Sequence, residues 1–315
     1  MDLMKREEIL KNLREVLNST GFSMTEKFSI SSSIFDILAK RDDLVLITKV
    51  LVNIDSFRYE NSLELRYLAL ALEALPILVG ERCTACALED CVVYMRHSIP
   101  AMNCATFKDY IKNDTLPLVY AAPGGLYARI DGNTLRKLRE ERKVPISEIA
   151  ERAGVSRKAI SLYEREEMGA SVDVVSRIED FFDEPLTLPV DPRELFHRFG
   201  EASIPGRAEE KDLTDTERFF FSMLRDFGYE ISSFKKAPID AVVSREEKIL
   251  SEFDGNSLRE KVEVLSEITD VVEKEGAIFS KRIKKERFRG IAVISSEDLK
   301  DIDNLLDLIE KKKKR

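Results

Sequence analysis

Apolar residues recur with a helical period at Ile9, Leu13, Val16 and Leu17 and stop before Gly21, so an amphipathic helix is predicted to open the chain. The apolar run Leu44-Val45-Leu46-Ile47 then reads as a strand. A second helical stretch, Leu63 to Leu75, is expected to stop at Pro76. Ile77 to Val79 and Cys91 to Tyr94 are short and apolar enough for buried strands. Helix and strand alternate, which predicts an α/β layer structure.

The same order of elements returns near the C-terminus. A helix from Glu217 to Phe227 is expected to end at Gly228-Tyr229, as the first ends at Gly21-Phe22. Phe28 followed by Asp36 is matched by Phe234 followed by Asp240. The helix Leu258 to Glu273, with Val262, Leu265, Ile268 and Val272 on one face, parallels Leu63 to Leu75. Ile99 to Ile111 resembles Ile291 to Ile302, each expected as a strand leading into a capped helix. An order kept across four elements predicts a repeat. Turn residues at Pro123-Gly124-Gly125, from Pro185 to Pro192 and at Ile204-Pro205-Gly206 set the expected boundaries. The expected division is an α/β domain at 1–125, a helical domain at 129–184, a linker at 185–208 and a related α/β domain at 209–315.

The helical domain holds the sharpest local signal. Leu135 and Leu138 mark a first helix, Pro145 precedes a second from Ile146 to Ala153, and Gly154 ends it. Ser156 then caps a third helix that contains Ile160 and Tyr163. A three-residue glycine turn between two short helices is the spacing of a helix-turn-helix, and Ala150 is small where the helices cross. With Ala150, Gly154, Ser156 and Tyr163-Glu164 in these places, the segment resembles the Cro and phage-repressor class. It departs at Ile146, where that class often has a glutamine on a phosphate. The resemblance implies that Arg157, Lys158 and Ser161, with Leu162 beside them, begin the recognition helix.

Charge sharpens this. The 315 residues carry a net charge of −8, which argues against general adhesion to polyanions. Residues 129–165 nevertheless hold ten basic and six acidic side chains, a local positive footprint. Arginine or lysine at the start of a helix in the major groove can bond guanine O6 and N7, so Arg157 is expected to read a base. Arg136 and Arg165 are expected on phosphates. The expected partner is double-stranded DNA bound by a homodimer.

The flanking blocks are similar in element order to the PD-(D/E)xK nuclease fold, in which acids on two strands and a lysine hold magnesium and position water. Asp36 and Lys49 fill two places in the first block, but Ile47 stands at the glutamate position and cannot ligate a metal. The second block has Asp240, then Lys248 to Glu252, with no lysine two residues beyond an acid. Both read as degenerate, restriction-endonuclease-like scaffolds without catalytic residues. The fold class expected is therefore α/β plus all-α. Over nearly its full length the chain resembles the archaeal helix-turn-helix transcriptional regulators of unassigned ligand, which implies transcription regulation.

The four cysteines lie in one window, Cys83-x2-Cys86-x4-Cys91-x12-Cys104. Four thiolates suit zinc or an iron–sulfur cluster. A redox-reversible disulfide and inert buried thiols are the alternatives. The basic runs Lys281 to Arg289 and Lys311 to Arg315 read as a solvated loop and a helix end. His197 has no neighbouring ligand in sequence, and no membrane span or signal peptide is expected, so the reading is cytoplasmic. Two rivals stay open: a DNA nuclease targeted by the central domain, and a protein-docking module whose binding is flat in salt.

Overall fold

The computed structural model describes residues 2–26, 34–201, 213–254, 258–283, 285–300 and 304–314. The chain forms two compact units, one of residues 1–16, 51–56 and 78–199 and the other of 17–50, 57–77 and 200–315.

The first repeat opens with α1 (Asp2–Ser19), whose Ile9, Leu13 and Leu17 are buried as the periodicity predicts. Strands β1 (Ser23–Met24), β2 (Ile37–Arg41) and β3 (Leu44–Asn53) pair antiparallel in that order. Phe28, the sequence's proposed counterpart of Phe234, lies outside the described residues. Helix α2 (Tyr59–Leu72) is shifted from the expected span. It ends because Glu73 turns left-handed, with φ 56°, and Ala74 donates its N–H to Ala69 O at 2.8 Å. Pro76 therefore does not stop a helix; it lies near the start of β4 (Leu75–Arg82), where a missing N–H is tolerated. Strands β5 (Val92–Arg96) and β6 (Ile99–Met102) follow, and β6 pairs parallel to β4 and antiparallel to β5. Asn103 caps α3 (Cys104–Lys112) by accepting the Thr106 N–H at 2.9 Å.

The turn at Pro123-Gly124-Gly125, the expected end of the first domain, is part of regular structure. It closes a hairpin between β7 (Val119–Ala122) and β8 (Gly125–Ile130), which pair antiparallel, using glycines with φ of 102° and 143°. Ala128 and Ile130 of β8 enter the core of the next domain, which holds α4 (Gly132–Glu141), α5 (Ile146–Ala153), α6 (Arg157–Glu164), β9 (Ala170–Ser171) and α7 (Val172–Phe182). That core joins Leu135, Ile149, Ala150, Ile160, Tyr163, Ile178 and Phe182. The central domain is thus helical with a β edge, and the described part of its expected linker, 185–201, carries regular elements. There β10 (Thr187–Leu188) pairs with β8, and Asp191 caps α8 (Pro192–Leu195).

The second repeat begins with α9 (Asp215–Asp226), held at its start by a reciprocal capping box between Thr214 and Glu217. Strands β11 (Glu230–Ser233), β12 (Ala241–Ser244) and β13 (Lys248–Phe253) pair antiparallel, and α10 (Leu258–Val272) crosses to β14 (Glu275–Phe279), which runs parallel to β13. Strand β15 (Arg287–Phe288) pairs with β16 (Ile291–Ile294), and α11 (Leu305–Lys314) closes the chain. The order β14-β16-β15 reproduces β4-β6-β5, parallel step and antiparallel step included. One element breaks the repeat. After β16 the expected capped helix is only a turn, fastened by Asp298 accepting both the N–H and hydroxyl of Ser295. Phe220, Phe253 and Phe279 fill the core beneath, the last two stacked at 5.1 Å. No helix among the described residues is long and apolar enough to cross a membrane.

Candidate nucleic-acid interface

The central domain is built to present α6. Asp131 caps α4 by accepting the Thr134 N–H at 2.9 Å, which holds the Asp131 carboxyl below its usual value. The start of α4 presses on the end of α6 so closely that a Cβ on Gly132 would lie 2.4 Å from Tyr163 O. Helix α5 ends at Gly154, left-handed with φ 70°, and Arg177 donates to Ala153 O at 3.0 Å, satisfying a terminal carbonyl. Ser156 then accepts the Ala159 N–H at 3.1 Å and starts α6. Ile160 and Tyr163 are buried, so the opposite flank of α6 is fixed toward solvent.

That flank carries the predicted readers. Arg157 and Lys158 are exposed, while Ser161 and Leu162 are half-buried, with the Ser161 hydroxyl donating to Arg157 O at 3.2 Å. Arg165 is exposed just beyond the helix and pairs with Glu167 at 3.3 Å. Arg136, expected on a phosphate, is held within the domain: it donates to Glu164 O at 3.1 Å and approaches the Glu164 carboxylate at 3.8 Å.

In the sequence Glu164 is only a marker of the motif. It is 6% exposed, and Arg139 grips it through Nε at 2.5 Å and Nη2 at 3.3 Å, so α4 and α6 are tied by a charge-assisted pair. The bond to Glu164 raises the Arg139 guanidinium above its ordinary value. The Tyr163-Glu164 spacing located this residue but gave no sign of its partner. Beside the end of α6, Glu166 to Gly169 border a cavity of about 500 Å³ whose walls include Met95, Tyr120, Leu195 and Phe199.

The cysteines do not assemble as the four-sulfur centre the sequence suggests. Cys83 and Cys86 face each other at 3.0 Å in a turn where Cys83 N–H bonds Cys86 O. Hydrogen bonding with Cys86 lowers the Cys83 thiol, and the same bond raises that of Cys86. Cys91 is exposed, whereas Cys104 is partly buried and pushed up to about 11 by desolvation. Among the described residues no three His, Cys, Asp or Glu side chains gather as metal ligands. At 3.0 Å the Cys83 and Cys86 sulfurs are closer than van der Waals contact.

The α/β blocks each retain a carboxylate centre. Asp36 accepts the Val50 N–H at 2.7 Å and pairs with Lys49 at 3.3 Å, and Ile47 is fully buried. In the second block Asp240 accepts the Phe253 N–H at 3.0 Å, which aligns Glu252 with Lys49. Lys261 of α10 touches Asp240 and lies 3.3 Å from the fully buried Glu252. The second block therefore does unite an aspartate, a glutamate and a lysine, contrary to the sequence reading. The lysine comes from the following helix, where a search along the strand could not find it. Burial, then the neighbouring Asp240, pushes the Glu252 carboxyl well up.

Two family models match parts of the chain. Residues 6–117 match the PD-(D/E)XK superfamily domain and residues 135–188 the helix-turn-helix family. A protein of Thermococcus kodakarensis, provisionally named an HTH-type transcriptional regulatory protein, is 34% identical over 99% of this chain and 98% of its own. Proteins given the same description in Pyrococcus horikoshii, at 35% over 97% of this chain and 98% of theirs, and in Methanocaldococcus jannaschii, at 32% over 98% and 96%, are similar throughout. No solved structure matches.

Proposed function

The chain belongs to the family of HTH-type transcriptional regulatory proteins, and from that premise we propose that it is a sequence-specific DNA-binding regulator which lays α6 in the major groove of double-stranded DNA. The observation that carries this is the exposed Arg157-Lys158 start of a helix whose opposite face is locked by Ile160, Tyr163 and the Arg139–Glu164 pair. Arg157 and Lys158 read base edges, Ser161 lies beside them, and Arg165 holds a phosphate. Arg136 acts first on Glu164 and so on the posture of α6. Two chains reading a pseudo-palindrome would place their recognition helices about 34 Å apart. Selection from random duplexes tests this: recovered sites should hold two inverted half-sites at that spacing, and recovery of no motif would refute it.

Regulation by oxidation is proposed for Cys83 and Cys86. A two-electron oxidant such as a small disulfide would take both thiol hydrogens and leave one Cys83–Cys86 disulfide.

A second reading, phosphodiester hydrolysis by the second block, is favoured by the Asp240–Glu252–Lys261 group. The two carboxylates fit a hard cation, which would supply charge neutralisation and an activated water. It stands second because burial favours the protonated form of Glu252, a poor cation ligand, and Lys261 already pairs with Asp240. Magnesium-dependent nicking of supercoiled DNA that disappears in Glu252→Gln would establish it.

A further inference from the structure

Within the second compact unit the two repeats touch through contacts that come in matched, reversed pairs. The correspondence is fixed by hydrogen bonds. Asp36 donates its N–H to Thr48 O and Asp240 its N–H to Ser251 O, while Val50 and Phe253 donate theirs to the two aspartates. Hairpin β2–β3 is thus aligned in register with β12–β13. In that alignment the rung Lys40:Val45 of the first repeat is the rung Ser244:Lys248 of the second. Each rung carries one lysine, on opposite strands.

Both lysines reach into the other repeat and meet the same structural position. Lys40 pairs with Glu273, and Lys248 pairs with Glu73 at 3.0 Å. Glu73 ends α2 and Glu273 ends α10, with left-handed φ of 56° and 55°. The environments match as well: the lysines are 19% and 24% exposed, the glutamates 75% and 70%. A second reversed pair, matched by element and not by residue, lies farther along the helices. The Glu26 N–H, in the loop after β1, bonds Glu267 of α10, and the Lys235 N–H, in the loop after β11, bonds Glu64 of α2 at 3.1 Å.

Contacts in which one element of one body meets a second element of the other, while the counterpart of the second meets the counterpart of the first, are the pattern of an isologous two-fold interface. We infer that the two repeats form an internal pseudo-two-fold dimer, in which the hairpin and helix end of each α/β block are built to receive the other block of the same chain. The partner for this face is therefore intramolecular. One chain carries both halves but a single helix-turn-helix, so two chains that share an operator must join through a different surface. Fusion also lets the halves diverge, as at Lys49 and Glu252, which two identical subunits could not do. The inference stands whether or not the chain binds DNA.

Zero-length carbodiimide coupling of the unaltered full chain tests it, because both ion pairs are native lysine–glutamate contacts. Unlabelled and 15N-labelled protein are mixed, coupled and mapped by mass spectrometry. Lys40–Glu273 and Lys248–Glu73 should both form, each within a single isotopic species and in a yield independent of dilution. Mixed-isotope links at these pairs would show that the face joins separate chains, and absence of both links would show that the interface does not exist; either overturns the inference.

Discussion

Removing the Glu164 carboxylate should loosen the recognition helix more than removing any arginine on its exposed flank. Glu164 is 6% exposed and Arg139 17%, so Glu164→Ala leaves a largely buried guanidinium with only the exposed Glu140 carboxylate, at 3.4 Å, in place of both bonds to Glu164. Breaking a buried pair costs about 3–5 kcal/mol, and partial access of water to Arg139 brings the expectation to about 2 kcal/mol. Arg136, at 45% exposure, adds little because its charge is already hydrated. Amide exchange of α4 and α6 reads the change directly. Opening of the α4–α6 contact should become about thirty-fold more frequent, while amides of the second repeat stay unchanged. Affinity for DNA should fall evenly across sequences, since posture rather than base contact is lost. Unaltered exchange in α4 and α6 would refute the role given to this pair.

Arg157→Ala should cost about 1–3 kcal/mol at one base position of the selected site, whereas Arg165→Ala should weaken all duplexes alike and lower the salt slope by about one, both measured by titration against single-base variants. Glu252 binds its proton more tightly folded than unfolded, so the second repeat should lose stability as pH rises from its unfolded value near 4.5 toward its raised folded value. Glu252→Gln should flatten denaturation midpoints across that window; an unchanged pH profile would count against the buried acid. Mild disulfide oxidant should remove two hydrogens from the wild type by intact mass and map to Cys83 and Cys86, with Cys83→Ser abolishing the change.

The helix-turn-helix was legible because its determinants are local: a glycine that must turn left-handed, a serine cap and a small alanine lie within ten residues of one another. The alternation of helix and strand was legible for the same reason. The hairpin at Pro123-Gly124-Gly125 was not legible, because the residues that loosen a linker also close a hairpin. The turn at Ser295 misled because a cap sequence starts a helix only where the following residues can pack, and there Asp298 fastens the turn instead. Lys261, Arg139 and the reciprocal Lys40 and Lys248 act across elements far apart in sequence, and no periodicity encodes such contacts.

Helix α6 reads DNA sequence if one comparison of affinities comes out as follows. Affinity for a selected duplex and for its scrambled counterpart, measured at physiological salt with wild type and Arg157→Ala, tests it most directly. The account predicts at least a thousand-fold preference in the wild type, salt-dependent binding to both duplexes, and a preference that shrinks in the variant. Equal affinity for the two duplexes, or binding indifferent to salt, would contradict it.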